Sequence, residues 1–136
     1  MERDNGYALM NVEREFLGKN KKRYVLLGMS NLGGGYYSYG YAILNLIPKN
    51  NGKSYTFYPL FSVSEDPVDG LCGEKRERFI KENDDAEEIT SYKILNEGTE
   101  DVTLVFYITE ENCKTLTKRT YIKKFKLVNG VFQMID

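Results

Sequence analysis

The 136-residue chain has no histidine and no tryptophan, and only two cysteines and three prolines. Histidine is the commonest general base near neutral pH and the partner in most Ser and Cys nucleophile systems. Its absence excludes triad-type hydrolysis, paired-His ribonuclease chemistry and His-ligated metals. Two cysteines without histidine do not make an ordinary zinc site either. Paired carboxylates, Tyr with Lys, or Arg with backbone donors on phosphate remain open to a His-free enzyme, but no spacing in the chain selects them. The expectation is a protein that is not an enzyme and carries no cofactor and no metal.

Long apolar runs are also missing. The longest, Tyr41 to Ile47, is broken by Asn45 and falls far short of the ~18 residues that span a bilayer, so no membrane insertion is expected. The opening Met1-Glu2-Arg3-Asp4-Asn5-Gly6 lacks the basic segment and apolar core of a secretory signal, which fits a cytoplasmic protein or a secreted or periplasmic one with its signal removed. The net charge of -1 gives no global pull toward nucleic acid. Charge is nonetheless segregated. Glu82, Asp84, Asp85, Glu87, Glu88, Glu97, Glu100, Asp101, Glu110 and Glu111 are offset only by Lys93, and Lys114, Lys118, Arg119, Lys123, Lys124 and Lys126 follow with no acid among them. This pattern reads as acidic loops and a basic strand face, both solvated.

What the chain does have is tyrosine and phenylalanine, 11 and 7 of them, and both residue types favour strands. With 41% hydrophobic and 29% charged residues it has the composition of a folded domain. No repeat or linker divides it, so residues 1–136 read as a single domain. Asn51-Gly52 and Asn129-Gly130 mark two hairpins, because a type I′ turn needs two residues tolerant of positive φ. A two-residue turn at Asn51-Gly52 sets Leu46 opposite Phe57, Leu44 opposite Pro59, Ala42 opposite Phe61 and Gly40 opposite Val63, a uniformly apolar face assigned to the core. A longer loop, permitted by Pro48 and Asn50, would change that register. The second turn sets Leu127 opposite Phe132 and Phe125 opposite Met134. Ile89 to Asn96 and Val102 to Thr109, joined by residues 97–101, complete a meander of the last four strands.

Tyr24 to Met29 suits a central strand, followed by a connection at Gly33-Gly34-Gly35. Leu9, Val12, Phe16 and Leu17 fit helical spacing, although Ala8, Met10, Val12 and Phe16 also alternate. Glu74 to Glu82 is the other helix candidate, rich in helix formers. The expected fold class is therefore α+β: a predominantly antiparallel, twisted sheet of six or seven strands with one or two short helices.

Three motif fragments dissolve on inspection. Gly52-Lys53-Ser54 resembles the tail of a phosphate-binding loop, but Ile47 stands where that motif requires glycine. The three consecutive glycines lack the strand, helix and acidic residue of a dinucleotide site. Glu65, Asp66, Asp69 and Glu74 surround Pro67 and Gly70 without matching an EF-hand, and read as turn residues.

The strongest candidate surface is the other face of the first hairpin, where Tyr37, Tyr39, Tyr41, Ile43, Asn45 and Tyr58 align. If exposed, such a stripe offers large contact area at low conformational cost; the alternative is that other parts of the chain bury it. Cys72 and Cys113 are a possible disulfide, with two unrelated thiols as the alternative. By elimination the function expected is a non-catalytic protein-binding module, most concretely a small immunity- or inhibitor-type protein that masks a toxin or enzyme. The partner would be another protein, with oligomeric state undetermined. A small-ligand-binding domain with an apolar pocket, or a His-free enzyme with a carboxylate in that pocket, is the alternative.

Overall fold

The computed structural model describes residues 7–33, 36–49, 52–64 and 85–135. They form eight strands in two antiparallel meanders of four. The first sheet has the order β1 (Tyr7–Leu17), β2 (Arg23–Gly33), β3 (Tyr36–Lys49), β4 (Gly52–Ser64). The second has the order β5 (Asp85–Leu95), β6 (Thr103–Asn112), β7 (Lys118–Val128), β8 (Val131–Ile135). A single 3-10 turn at Lys19–Lys21 links β1 to β2, and no α-helix occurs among the described residues. No helix among them is long and apolar enough to cross a membrane.

Among the described residues the expected α+β class is thus corrected to all-β. The segment expected as the first helix is β1, and its ambiguity has a physical origin. The β1–β2 register slips between Val12 and Arg14, leaving Glu13 as an extra residue. A bulge of this kind moves the hydrophobic phase of a strand by one residue, so Val12 is 68% exposed while Phe16 lies in the core. Apolar residues on either side of such a slip imitate helical spacing. The second helix candidate, Glu74 to Glu82, lies outside the described residues.

The two sheets pack face to face. Phe16, Tyr24, Leu26, Tyr41 and Ile43 from the first meet Leu104, Phe106, Phe125 and Phe132 from the second, together with Val102, in one buried cluster. Aromatic rings knit it: Phe61 stacks on Phe125 at 5.6 Å, Tyr41 lies 4.8 Å from Phe106, and Phe132 makes edge contacts with Phe16 and Tyr24. Edge-to-face and offset pairs such as these add about 0.5–1.5 kcal/mol each beyond area burial. At one end the β5–β6 turn clasps β1. The Gly98 N–H donates to the Leu17 carbonyl at 2.8 Å, and Glu97 accepts from Arg14 at 2.5 Å and from the Leu17 N–H at 3.2 Å.

The second meander follows the expected registers: Leu127 pairs with Phe132, Phe125 with Met134 and Lys126 with Gln133. Asn129 and Gly130 hold φ of 51° and 84°, as a type I′ turn requires. In the first sheet β2 is central and buried on both faces, as expected. The first hairpin differs twice from expectation. Lys49 pairs with Gly52, and Leu44 with Phe57, so Gly52 belongs to β4 rather than to a turn with Asn51, which lies outside the described residues. A bulge then leaves Leu60 unpaired between Ala42↔Pro59 and Tyr41↔Phe61, which transfers Phe61 and Val63 to the opposite face from the one expected.

The assignment of faces on β3 is inverted as well. The face carrying Tyr39, Tyr41, Ile43, Asn45 and Tyr58 looks inward, with Tyr41 at 6% and Asn45 at 5% exposure. On the other face Val25, Leu27 and Ala42, with Met29 and Leu44 against them, form a smaller cluster. Both faces of this hairpin are apolar enough to be core. Tyrosine resolves the choice by burying its ring while its hydroxyl reaches a polar partner.

Candidate functional site

Tyr39 and Tyr41 gather with Asn11, Glu13 and Tyr92 in a polar cluster, the mouth. Its floor is Gly28 on β2, which stands in register with Asn11 on β1 and Tyr41 on β3. A Cβ at Gly28 would lie 2.5 Å from the Tyr39 hydroxyl, 3.0 Å from Asn11 Oδ1 and 3.2 Å from Glu13 Oε2. Three oxygens therefore converge over one glycine. Glycine here permits the close approach of the Tyr39 hydroxyl to the backbone, which a Cβ would push aside.

Glu13 reaches this place because it is the extra residue of the β1 bulge; bulges commonly re-aim a side chain. Its carboxylate accepts a 2.6 Å hydrogen bond from Asn11 Nδ2. Tyr39 meets Tyr41 edge to face at 5.5 Å and 85°, and Tyr41 meets Tyr92 of β5 at 5.8 Å and 63°. The Tyr41 hydroxyl is pushed well above the ordinary tyrosine range by burial, then by the Tyr39 phenol and the Glu13 charge. Burial, with Glu13 beside it, also raises Tyr92. The Arg14 guanidinium opposes that rise at Tyr92, so Glu13 and Arg14 both act on the site. Arg14, next along β1, is engaged by Glu97.

No cluster of three His, Cys, Asp or Glu able to hold a metal occurs among the described residues.

The residues singled out from the sequence are dispersed. Tyr39 and Tyr41 enter the mouth. Tyr58 accepts a 2.9 Å hydrogen bond from the Phe132 N–H of β8, a structural link between the sheets. Asn45 is buried with its Oδ1 lacking a hydrogen-bond partner, and the Tyr37 side chain lies outside the described residues. Cys113, buried after β6, is disulfide-bonded; Cys72, the other cysteine of the chain, lies outside the described residues. Asn11, Glu13 and Tyr92 escaped sequence reading because they come from β1 and β5. One signal was available: a glycine inside the apolar run Tyr24 to Met29 marks a close approach.

On the opposite side of the second sheet, Lys93 and Lys124 both stand in register with Val105. Beside them Tyr107 lies under Lys93, whose ammonium is 5.6 Å from the ring centroid. The basic residues expected on one strand face are divided: Lys118, Lys124 and Lys126 lie on this surface, whereas Arg119, bonded to Glu110, and Lys123, over the Phe61 ring, lie on the other.

No protein-family model, curated protein or solved structure matches the chain.

Proposed function

We propose that the chain is a non-catalytic binding domain that accepts an organic ammonium group at the mouth formed by Glu13, Tyr39, Tyr41 and Tyr92. The observation that carries this reading is the half-buried Glu13 carboxylate beside Tyr39, Tyr41 and Tyr92, with the Tyr41 ring at 85° to Tyr39 and 63° to Tyr92. A carboxylate supplies the counter-charge. Aromatic faces attract a cation through their quadrupole and tolerate the methyl groups that a hydrated carboxylate alone would not favour. A cation so placed gains about 0.5–2 kcal/mol per ring face, which gives affinity in the millimolar to micromolar range once the cost of association is met.

Calorimetric titration of the full chain with tetramethylammonium tests it. Saturable binding is expected, weakened about tenfold or more in Glu13→Gln through loss of the charge-assisted contact. Tyr92→Phe keeps the ring face and retains binding, whereas Tyr92→Ala loses it. Absence of saturable binding, or an unchanged affinity in Glu13→Gln, rules the reading out.

A second reading, a protein that masks a partner as an immunity or inhibitor protein does, no longer has an exposed tyrosine stripe behind it. What favours it is the lysine-bearing outer face of the second sheet.

A further inference from the structure

The geometry points to the outer face of β5–β8 as a docking surface for an acidic protein segment. It rests on the second reading above and is independent of the ammonium site. In the row Lys93–Val105–Lys124 two lysines flank a valine that is 3% exposed, so their stems roof an apolar residue while their charged ends stay in water. Their strands are two spacings apart, placing the ammoniums on the order of 10 Å from each other. Neither is ion-paired within the described residues. Lys126, one row further, is held by Asp101 at 3.1 Å. In the neighbouring row Tyr107 stands in register with Ile122, which is 46% exposed. The surface is therefore a pair of cations with no ion-pair partner among the described residues, one of them over the Tyr107 ring, beside an exposed isoleucine.

Carboxylates about 10 Å apart on a partner, with an apolar side chain between them to cover Ile122, complement this pattern. A nucleic acid fits it less well. The chain carries a net charge of -1. The one arginine of these four strands, Arg119, bonds Glu110 at 2.6 Å, and Glu110 lies on the other face of β6 from Val105 and Tyr107. An anionic membrane calls for clusters of 4–8 basic residues; of the four lysines on this face, Lys126 is held by Asp101 and Lys118 stands in register with Glu111.

The test is fluorescence anisotropy of a labelled oligoglutamate peptide with the full chain, alongside a single-stranded oligonucleotide and phosphatidylserine vesicles. Oligoglutamate is expected to bind best, to weaken as salt is raised, and to shift the amide resonances of Lys93, Val105, Tyr107, Ile122 and Lys124. The double substitution K93E/K124E should lower affinity at least about tenfold, with K93Q/K124Q intermediate; the Gln pair decides the matter if the Glu pair misfolds. Preference for the oligonucleotide or the vesicles, shifts elsewhere, no oligoglutamate binding, or indifference to both double substitutions overturns the proposal. Glu13→Gln should leave peptide binding unchanged, and K93E/K124E should leave tetramethylammonium binding unchanged, so the two sites fail separately.

Discussion

Gly28 concentrates the chemistry of the mouth in one missing methyl group. Its neighbours are the ends of side chains, the Tyr39 hydroxyl above all, so Gly28→Ala is accommodated by displacing Tyr39 rather than by moving backbone. The expected outcome is a folded protein destabilised by about 1–3 kcal/mol, as overpacking of a tight site usually costs, with ammonium binding lost; urea unfolding together with calorimetry checks both. Tyr39 and Tyr41 were legible in the sequence as a pair, but their direction was not. A tyrosine's ring argues for burial and its hydroxyl for water, and the same residue satisfies both at the mouth of a sandwich. Glu13 was invisible as a site residue because nothing local distinguishes an acid that faces solvent from one that a bulge turns inward.

At the level of strands and turns, what could be read depended on whether pairing ran uninterrupted. The second meander follows its alternation through β6, β7 and β8 without a slip, and its Asn129-Gly130 corner fixes the register. There the sequence pattern maps directly onto the faces. In the first meander, slips at Glu13 and Leu60 each flip the side chains that follow. β5 carries a third, between Ile89 and Ser91. All three fall on strands at the edge of a sheet, where bulges add twist and discourage pairing with other chains. Gly130 offers a clean probe of the legible half. With φ at 84° and nothing near a Cβ, Gly130→Ala carries backbone strain alone. It should cost about 1–2 kcal/mol in urea unfolding while the amide spectrum stays native-like.

For the whole molecule, the interface between sheets is unusually phenolic, and this sets its response to alkali. Burial raises the hydroxyls of Tyr24, Tyr41 and Tyr58 above the ordinary value of 10.0. An acid whose folded pKa is raised contributes stability that is fully present below the unfolded value and is lost as pH climbs from there toward the folded one. Stability should therefore be flat from about pH 7 to 9 and fall above about pH 10. Tyr41 alone contributes a slope of about 1.4 kcal/mol per pH unit once unfolded phenols ionise. Tyr41→Phe, which keeps the ring, should fall less steeply; identical slopes in urea titrations at both ends of this window would refute the role given to that hydroxyl.

The hydrogen bond from the Phe132 amide to Tyr58 has a consequence for association. β8 is a short outermost strand with β7 on one side only, the kind of open margin onto which a second molecule could graft its own backbone. At Phe132 the amide is already spent on a phenol from the opposing layer. Any incoming chain must first evict Tyr58 from between the layers, so self-templated stacking along this margin is opposed by the same contact that holds the layers together.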